Sequence, residues 1–264
     1  MYLHEFWQLF IDLVHWQLDV IVQAIVIEVL YLFMVSRLQR GAHAENAVTT
    51  RLRTTLFTLG VIVFLLAFGS PINFISDDLL FSMHSVQHLL EIMIMTPLWL
   101  AGIPKYPFDR VVSWVHLPAT LFHPVATLAV FNVVFFFFHI PRVYDLTLQN
   151  EYFHLLEHGM FFIISIFLWM PILSPLDQIP RLTLGKRLLY VFFVINLAMP
   201  AEIFLILAQH TLYAYSASGA ALFGMSVLGD QQLGFLLMIV GMFVPMISVG
   251  IYTFSRYDSS VWNM

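Results

Sequence analysis

The sequence contains no cysteine and very few charged residues. Its 264 residues include 11 Lys and Arg and 16 Asp and Glu, so charged residues make up 10% of the chain, against about 25% in soluble proteins. The absence of cysteine excludes disulfides, thiolate metal sites and cysteine nucleophiles. Hydrophobic residues make up 60% of the chain, and its mean hydropathy is +0.86. A soluble fold of this size needs more polar surface, so the sequence predicts an integral membrane protein.

A basic N-terminal segment and alternating apolar runs are missing as well. A cleavable signal peptide begins with Lys or Arg, and the first ten residues contain neither, so we expect the first apolar helix to be retained. Outer-membrane strands alternate apolar and polar residues, unlike FNVVFFFF at 131–138. We therefore predict an all-α, polytopic membrane protein, a seven-transmembrane-helix bundle forming one domain over residues 1–264. The seven predicted spans are 18–36, 55–70, 79–102, 118–140, 152–174, 187–208 and 231–254.

The basic residues predict how this bundle is oriented. Ten of the eleven fall on one side of the predicted membrane, and only Arg142 falls on the other. Basic residues concentrate in cytoplasmic loops, which puts the C-terminus in the cytoplasm and the N-terminus outside. Because the basic residues are few and are accounted for by topology, nucleic-acid binding has no support.

Two spans each carry a pair of histidines four residues apart, namely His84 with His88 and His154 with His158. Residues four apart share one face of a helix, and both pairs lie at the outer ends of their spans. His139 ends the fourth span at the same level. Neutral imidazole binds zinc, copper, iron and nickel. A lone histidine near a helix end is usually an interfacial residue, but two pairs at one depth favour a metal site.

Further polar residues lie near these pairs or at membrane depth. Groups beside a metal site usually hydrogen-bond the ligating rings. The auxiliary candidates are Glu157, Gln87, Glu91, Tyr144, Asp230 and His210. Two other carboxylates at membrane depth, Glu28 and Glu202, are either functional groups or hydrogen-bonded structural ones, and both readings stay open. The histidines without such partners, expected at the surface, are His4, His15, His43, His116 and His123.

Four strings follow one another along the chain: MHSVQHLLEIMIMTPLWLAGIP (83–104), FHIPRVYDLTL (138–148), FHLLEHGMFF (153–162) and GDQQLGFLLMIVGM (229–242). With them the sequence resembles the CtaG family of cytochrome c oxidase assembly factors, seven-helix bacterial membrane proteins associated with caa-type oxidases. The similarity runs from about Leu79 to Arg256. It implies a non-enzymatic metallochaperone of the bacterial cytoplasmic (inner) membrane, which binds copper and passes it to a haem-copper oxidase subunit. The family's motif residues carried over are His84, His88, His139, His154, His158 and Asp230.

The residues themselves leave other functions open. A histidine cluster fits zinc as well as copper, and with Glu157 or Asp230 as general base it would make a membrane-embedded zinc-dependent hydrolase. Histidines on facing helices could also bind haem. A di-iron oxidase ranks last, because it needs more carboxylates than Glu157 and Asp230 provide. The oligomeric state is open too, with a homodimer as one option.

Overall fold

The computed structural model describes residues 8, 12, 15–40, 51–104, 119–176, 179, 181–215 and 217–261. Within these ranges every regular element is helical and none is a strand, which confirms the all-α prediction. The α-helices are α1 (Leu18–Arg40), α2 (Arg51–Phe64), α3 (Pro71–Asp78), α4 (Phe81–Leu89), α5 (Thr96–Gly102), α6 (Pro124–Phe138), α7 (Pro141–Gln149), α8 (Glu151–Leu173), α9 (Leu184–Ile206), α10 (Ala217–Leu222) and α11 (Val227–Val261). A π-helical turn follows α2 at Leu65–Gly69, and a second joins α4 to α5 at Leu90–Met95. A short 3₁₀ turn at Ala119–Phe122 precedes α6.

Five helices of the described chain are long and apolar enough to cross a membrane: α1, Arg51–Gly69, α8, α9 and the part of α11 from Val227 to Arg256. Helices α6 and α7 meet the same criteria together but are bent by 69°, and they make a sixth span if they cross as one. The predicted third span, 79–102, is not among them, because the polar side chains of α4 lower its hydropathy. The chain is thus a multi-pass helical membrane protein, and the count of seven and the orientation stay predictions.

Side-chain caps determine where two of the helices near the histidine pairs begin. The Ser70 hydroxyl accepts a hydrogen bond from the backbone N–H of Ile72, and Pro71 occupies the first position of α3. The Asn150 side chain accepts hydrogen bonds from the N–H groups of Tyr152 and Phe153, which starts α8. This start places the second histidine pair near the N-terminal end of α8.

The π turn between α4 and α5 is tied to its surroundings by side-chain donors. Thr96 Oγ1 donates to the carbonyl oxygen of Glu91 at 2.9 Å, and Trp169 Nε1 of α8 donates to that of Ile92 at 2.7 Å. Turns of this kind are rare and frequently lie at functional sites. This one lies directly after His88.

Glycines allow the closest helix contacts around α4 and α5. A Cβ atom at Gly234 of α11 would lie 2.5 Å from the Phe81 ring and 2.7 Å from Ser85 Oγ, so only glycine lets α11 approach α4 this closely. A Cβ atom at Gly102 would meet the backbone of α2. Helix α4 packs against α11 and α3, and α8 packs against α5 and α6. Helices α4 and α8, which carry the histidine pairs, are therefore each packed against at least two other helices.

Candidate metal centre

Six side chains from two helical segments meet in the interior of the bundle. Each segment contributes two histidines and one glutamate. The first segment has spacings of four and three residues, and in the second the glutamate and the later histidine follow the first histidine by three and four residues, so each set projects from one helix face. The first segment, α4 with the π turn, carries His84, His88 and Glu91, and α8 carries His154, Glu157 and His158. Five of the six are buried, and His154 is half-buried. Both predicted histidine pairs therefore lie in one polar cluster.

Within each histidine pair the two Nε2 atoms lie close together. His84 Nε2 is 2.7 Å from His88 Nε2, and His154 Nε2 is 3.0 Å from His158 Nε2. The Glu157 carboxylate faces the first pair, with Oε2 3.7 Å from His84 Nε2 and Oε1 3.6 Å from His88 Nε2. Glu157 thus comes from the second helix to face the histidines of the first.

Glu91 makes the reciprocal contact from the first helix to the second. Its Oε2 atom lies 2.9 Å from His158 Nδ1 and 3.7 Å from His88 Nδ1. Glu91 therefore faces the Nδ1 atoms of His88 and His158. The Nε2 atoms of these rings face the other histidine of each pair. The sequence names Glu91 as an auxiliary candidate, and the structure places it against both histidine pairs.

Three overlapping sets of these side chains have ligand atoms within 4.8 Å of one another: His84 with His154 and His158, His84 with His88 and Glu157, and His88 with Glu91 and His158. Two buried atoms, His88 Nδ1 and Glu157 Oε2, have no hydrogen-bond partner among the described residues. A buried polar atom without a partner destabilises the fold, and a bound cation would supply that partner. Imidazole and carboxylate groups are ligands for copper, zinc and iron, so the donor set fits a metal.

A short series of hydrogen-bonded side chains connects α3 with the ring of His84. Ser76 Oγ donates to Gln87 Oε1 and lies 3.5 Å from His84 Nδ1. The Gln87 amide donates to Asn73 Oδ1 at 2.8 Å and to the Ala67 carbonyl at 3.0 Å. Gln87, an auxiliary candidate from the sequence, is thus linked to the His84 ring through Ser76. Nothing in the local sequence pairs α3 with α4, so the role of Ser76 could not be predicted.

Asp77, near the C-terminal end of α3, lies at the edge of the cluster. Its Oδ1 atom is 3.7 Å from His154 Nε2. The side chains of Asp77 and His154 are 29% and 18% exposed, whereas those of His84 and His88 are 2% exposed. Burial raises the pKa of the Asp77 carboxyl to about 6. Asp77 and His154 are therefore the cluster's contact with the surface.

Asp230 and Tyr144 have roles different from those expected. Asp230 is fully buried and accepts hydrogen bonds from the N–H groups of Phe81 at 2.7 Å and Ser82 at 3.3 Å, and from Ser82 Oγ. It caps the start of α4 and belongs to none of the three candidate sets. The Tyr144 hydroxyl shares a hydrogen bond with the Tyr215 hydroxyl at 2.8 Å, and its ring meets His84 edge-on.

The structure does not bring His139 into any of the three candidate sets found among the described residues. Its Nδ1 atom donates to the Phe135 carbonyl at 2.6 Å, and its ring stacks on the Phe135 ring. His210 follows α9 and is exposed. Glu202 is buried with Oε1 unpaired among the described residues, and Glu28 accepts a hydrogen bond from Thr58 at 2.7 Å. Neither carboxylate belongs to the three sets.

The isolated histidines divide into three groups. His123 is exposed and caps α6 by accepting from the Val125 N–H, as expected of a surface residue. His15 is half-buried, with its ring stacked on Phe74. The three that lie outside the described residues are His4, His43 and His116.

A small apolar cavity adjoins the cluster at His88. It has a volume of about 10 Å³, room for about one water-sized occupant. Three methionines contribute to its lining, namely Met93, Met238 and Met242. Thioether groups therefore lie close to the cluster at His88.

Comparison with known proteins identifies one family. The family model described as cytochrome c oxidase caa3 assembly factor (Caa3_CtaG) matches residues 29–258 of the chain. Neither the curated proteins nor the solved structures give a match. The matched range includes all six side chains of the cluster.

Proposed function

The chain belongs to the caa3 cytochrome c oxidase assembly factor family, and we propose that it binds copper at its histidine cluster and delivers it to a haem-copper oxidase subunit. The family match begins at residue 29, well before Leu79, where the motif resemblance starts. On this proposal the protein is a non-enzymatic metallochaperone, and copper is its cargo.

One observation carries the copper proposal: four imidazoles from two helices converge. The Nε2 atoms of each pair lie within 3.0 Å of each other, and His84 of α4 offers a ligand atom within 4.8 Å of those of His154 and His158 of α8. Imidazole suits copper in either common oxidation state, and thioether favours Cu(I). In a bilayer, ionisable side chains are costly unless they pair or bind a ligand, and copper would provide that compensation. The cargo would bind His84, His88, His154 and His158.

The surface contact of the cluster supports a route for the cargo. His154 and Asp77 are its exposed members, whereas the remaining ligands are buried. A copper ion would therefore enter and leave past Asp77 and His154, and the oxidase subunit would dock over this edge. The Asp77 carboxylate attracts cations there.

We also propose the complete topology: seven spans, with the N-terminus outside and the C-terminus in the cytoplasm of a bacterial inner membrane. The segment Phe81–Gly102 would then be the third span, whose polar residues are buried against α3, α8 and α11 rather than exposed to lipid. Reporter fusions that are active on only one side of the membrane, placed at each terminus, test this. Activity of both fusions on the same side would refute the odd number of spans.

The copper proposal is tested by elemental analysis of purified protein. The wild type is compared with His84→Ala, with His158→Ala and with His210→Ala as a matched control at an exposed histidine. We expect copper in the wild type and the control and its loss in the two cluster variants. In cells, the cluster variants should leave the oxidase without its copper while the assembly factor itself is still produced.

Two results would contradict this function. Full copper retention in a variant lacking both histidine pairs would remove the cluster as the binding site. Zinc in place of copper, together with hydrolysis of a peptide or amide substrate, would favour the membrane-embedded hydrolase instead.

A further inference from the structure

We propose that the cluster holds a second metal position, formed by His88 Nδ1, His158 Nδ1 and Glu91 Oε2, that takes a divalent first-row cation such as Cu(II). The inference rests on the proposed function, because it adds a position to the same cluster. The first position is defined here as the Nε2 atoms of the four histidines together with Glu157.

The two positions use different atoms of the same rings. His88 and His158 present their Nε2 atoms to His84 and His154, at 2.7 Å and 3.0 Å. Their Nδ1 atoms face the opposite way, toward Glu91 Oε2, at 3.7 Å and 2.9 Å. The two rings therefore lie between the first position and Glu91, and each can bind a cation on either side.

The distances around Glu91 fit a coordination sphere. Ligand atoms about 2.1 Å from a metal lie about 3 to 3.4 Å from one another in tetrahedral or octahedral arrangements. The two separations from Glu91 Oε2 bracket that range, and His88, Glu91 and His158 each offer a ligand atom within 4.8 Å of those of the other two. The two separations from Glu91 therefore lie within a few tenths of an ångström of those in such a sphere.

An unpaired nitrogen gives independent support for a ligand here. His88 is 1% exposed, and its Nδ1 atom has no hydrogen-bond partner among the described residues. Because Nε2 of the same ring already has a partner in His84, hydrogen bonding within the cluster does not satisfy both ring nitrogens. A cation at the second position would use the free Nδ1 lone pair.

The donor set indicates the kind of cation. A carboxylate oxygen with two imidazole nitrogens is a harder set than the thioethers that line the cavity at His88, and it favours a divalent ion over Cu(I). A ring that binds metal through both nitrogens has lost its N–H proton. Filling both positions would thus release one proton to solvent from each bridging ring and join the two ions through imidazolate.

The test is a Cu(II) titration of the full-length protein in detergent, with copper measured by elemental analysis and unpaired spins by electron paramagnetic resonance. The wild type should retain two ions per chain, with fewer visible spins than copper because imidazolate bridges couple the ions magnetically. Glu91→Gln should retain one ion, with every copper visible. Glu202→Gln, which removes a buried carboxylate outside the cluster, should match the wild type.

Folding is controlled by size-exclusion profile and helical circular dichroism. If Glu91→Gln does not fold, Glu91→Asp takes its place, because the shorter carboxylate should weaken only the second ion. His154→Ala should weaken the first ion and leave the second. Two retained ions in a folded Glu91→Gln, or one uncoupled ion in the wild type that Glu91→Gln leaves unchanged, would refute the second position while leaving the proposed function intact. Absence of copper from the wild type would overturn both.

Discussion

Replacing Asp230 should destabilise the first turn of the helix that carries His84. Asp230 of α11 is fully buried and accepts from two backbone N–H groups and one hydroxyl at the start of α4. In Asp230→Ala these donors lose their acceptor inside the protein. A buried donor left unpaired costs about 1 to 3 kcal/mol, and losses within one cap are not additive, so we expect about 3 kcal/mol in all.

The measurement is the free energy of unfolding in mixed detergent, followed by circular dichroism. Asp230→Asn keeps one acceptor oxygen and should fall between the wild type and Asp230→Ala. The matched control is Asp19→Ala, which removes an exposed acid from the first turn of α1 and should cost under about 1 kcal/mol. Copper capacity should fall together with stability, because the first turn of α4 positions His84.

A double-mutant cycle with Ser82→Ala separates the side-chain bond from the backbone cap. The coupling between Ser82 and Asp230 should be about 0.5 to 3 kcal/mol. A change in the free energy of unfolding of less than about 0.5 kcal/mol in Asp230→Ala, the usual range for surface substitutions, would refute the stabilising role of this cap. Loss of copper with unchanged stability would instead make Asp230 a metal ligand.

Three further substitutions test other parts of the structure. Gly102→Ala should cost about 1 to 3 kcal/mol of unfolding free energy, because its Cβ would lie 2.7 Å from a backbone nitrogen of α2, whereas Gly159→Ala meets nothing within 4 Å and should be neutral or stabilising. Ser76→Ala should weaken copper binding about 10-fold in a chelator competition without changing the number of ions bound, since it supports the His84 ring from α3. His139→Ala should keep the full copper content by elemental analysis, because its ring nitrogen bonds the α6 backbone, and any loss would restore it as a ligand.

The part of the cluster that local spacing determines could be predicted from the sequence. His84 and His88 share a helix face through the four-residue repeat, as do His154 and His158, and Glu91 extends the first face. Composition predicts a membrane protein, and long apolar runs without alternating polar residues predict helices rather than strands. These predictions depend on helix periodicity and on the cost of polar groups in lipid, both of which can be read from one segment at a time.

The parts that depend on contacts between distant segments could not be predicted. Asp230 caps a residue 148 positions earlier, and no spacing rule links the two. Ser76 reaches His84 because α3 folds back on α4. His139 shares the depth of the cluster, but its ring turns to its own helix at Phe135 instead. Depth can be estimated from a hydropathy pattern, whereas the direction of a ring depends on its neighbours.

The π turn at Leu90–Met95 determines how α5 is rotated about the helix axis relative to α4. These two helices are the halves of one helical segment. Such a turn holds more residues than an α turn, so α5 is rotated relative to α4 compared with an uninterrupted helix. The first half presents His84 and His88 to α8, and the second presents Gly102 to the backbone of α2. Removing one residue from the turn would rotate the halves by about 100° against each other. The histidine cluster and the tight packing on this segment therefore depend on its exact length as much as on the identity of its residues.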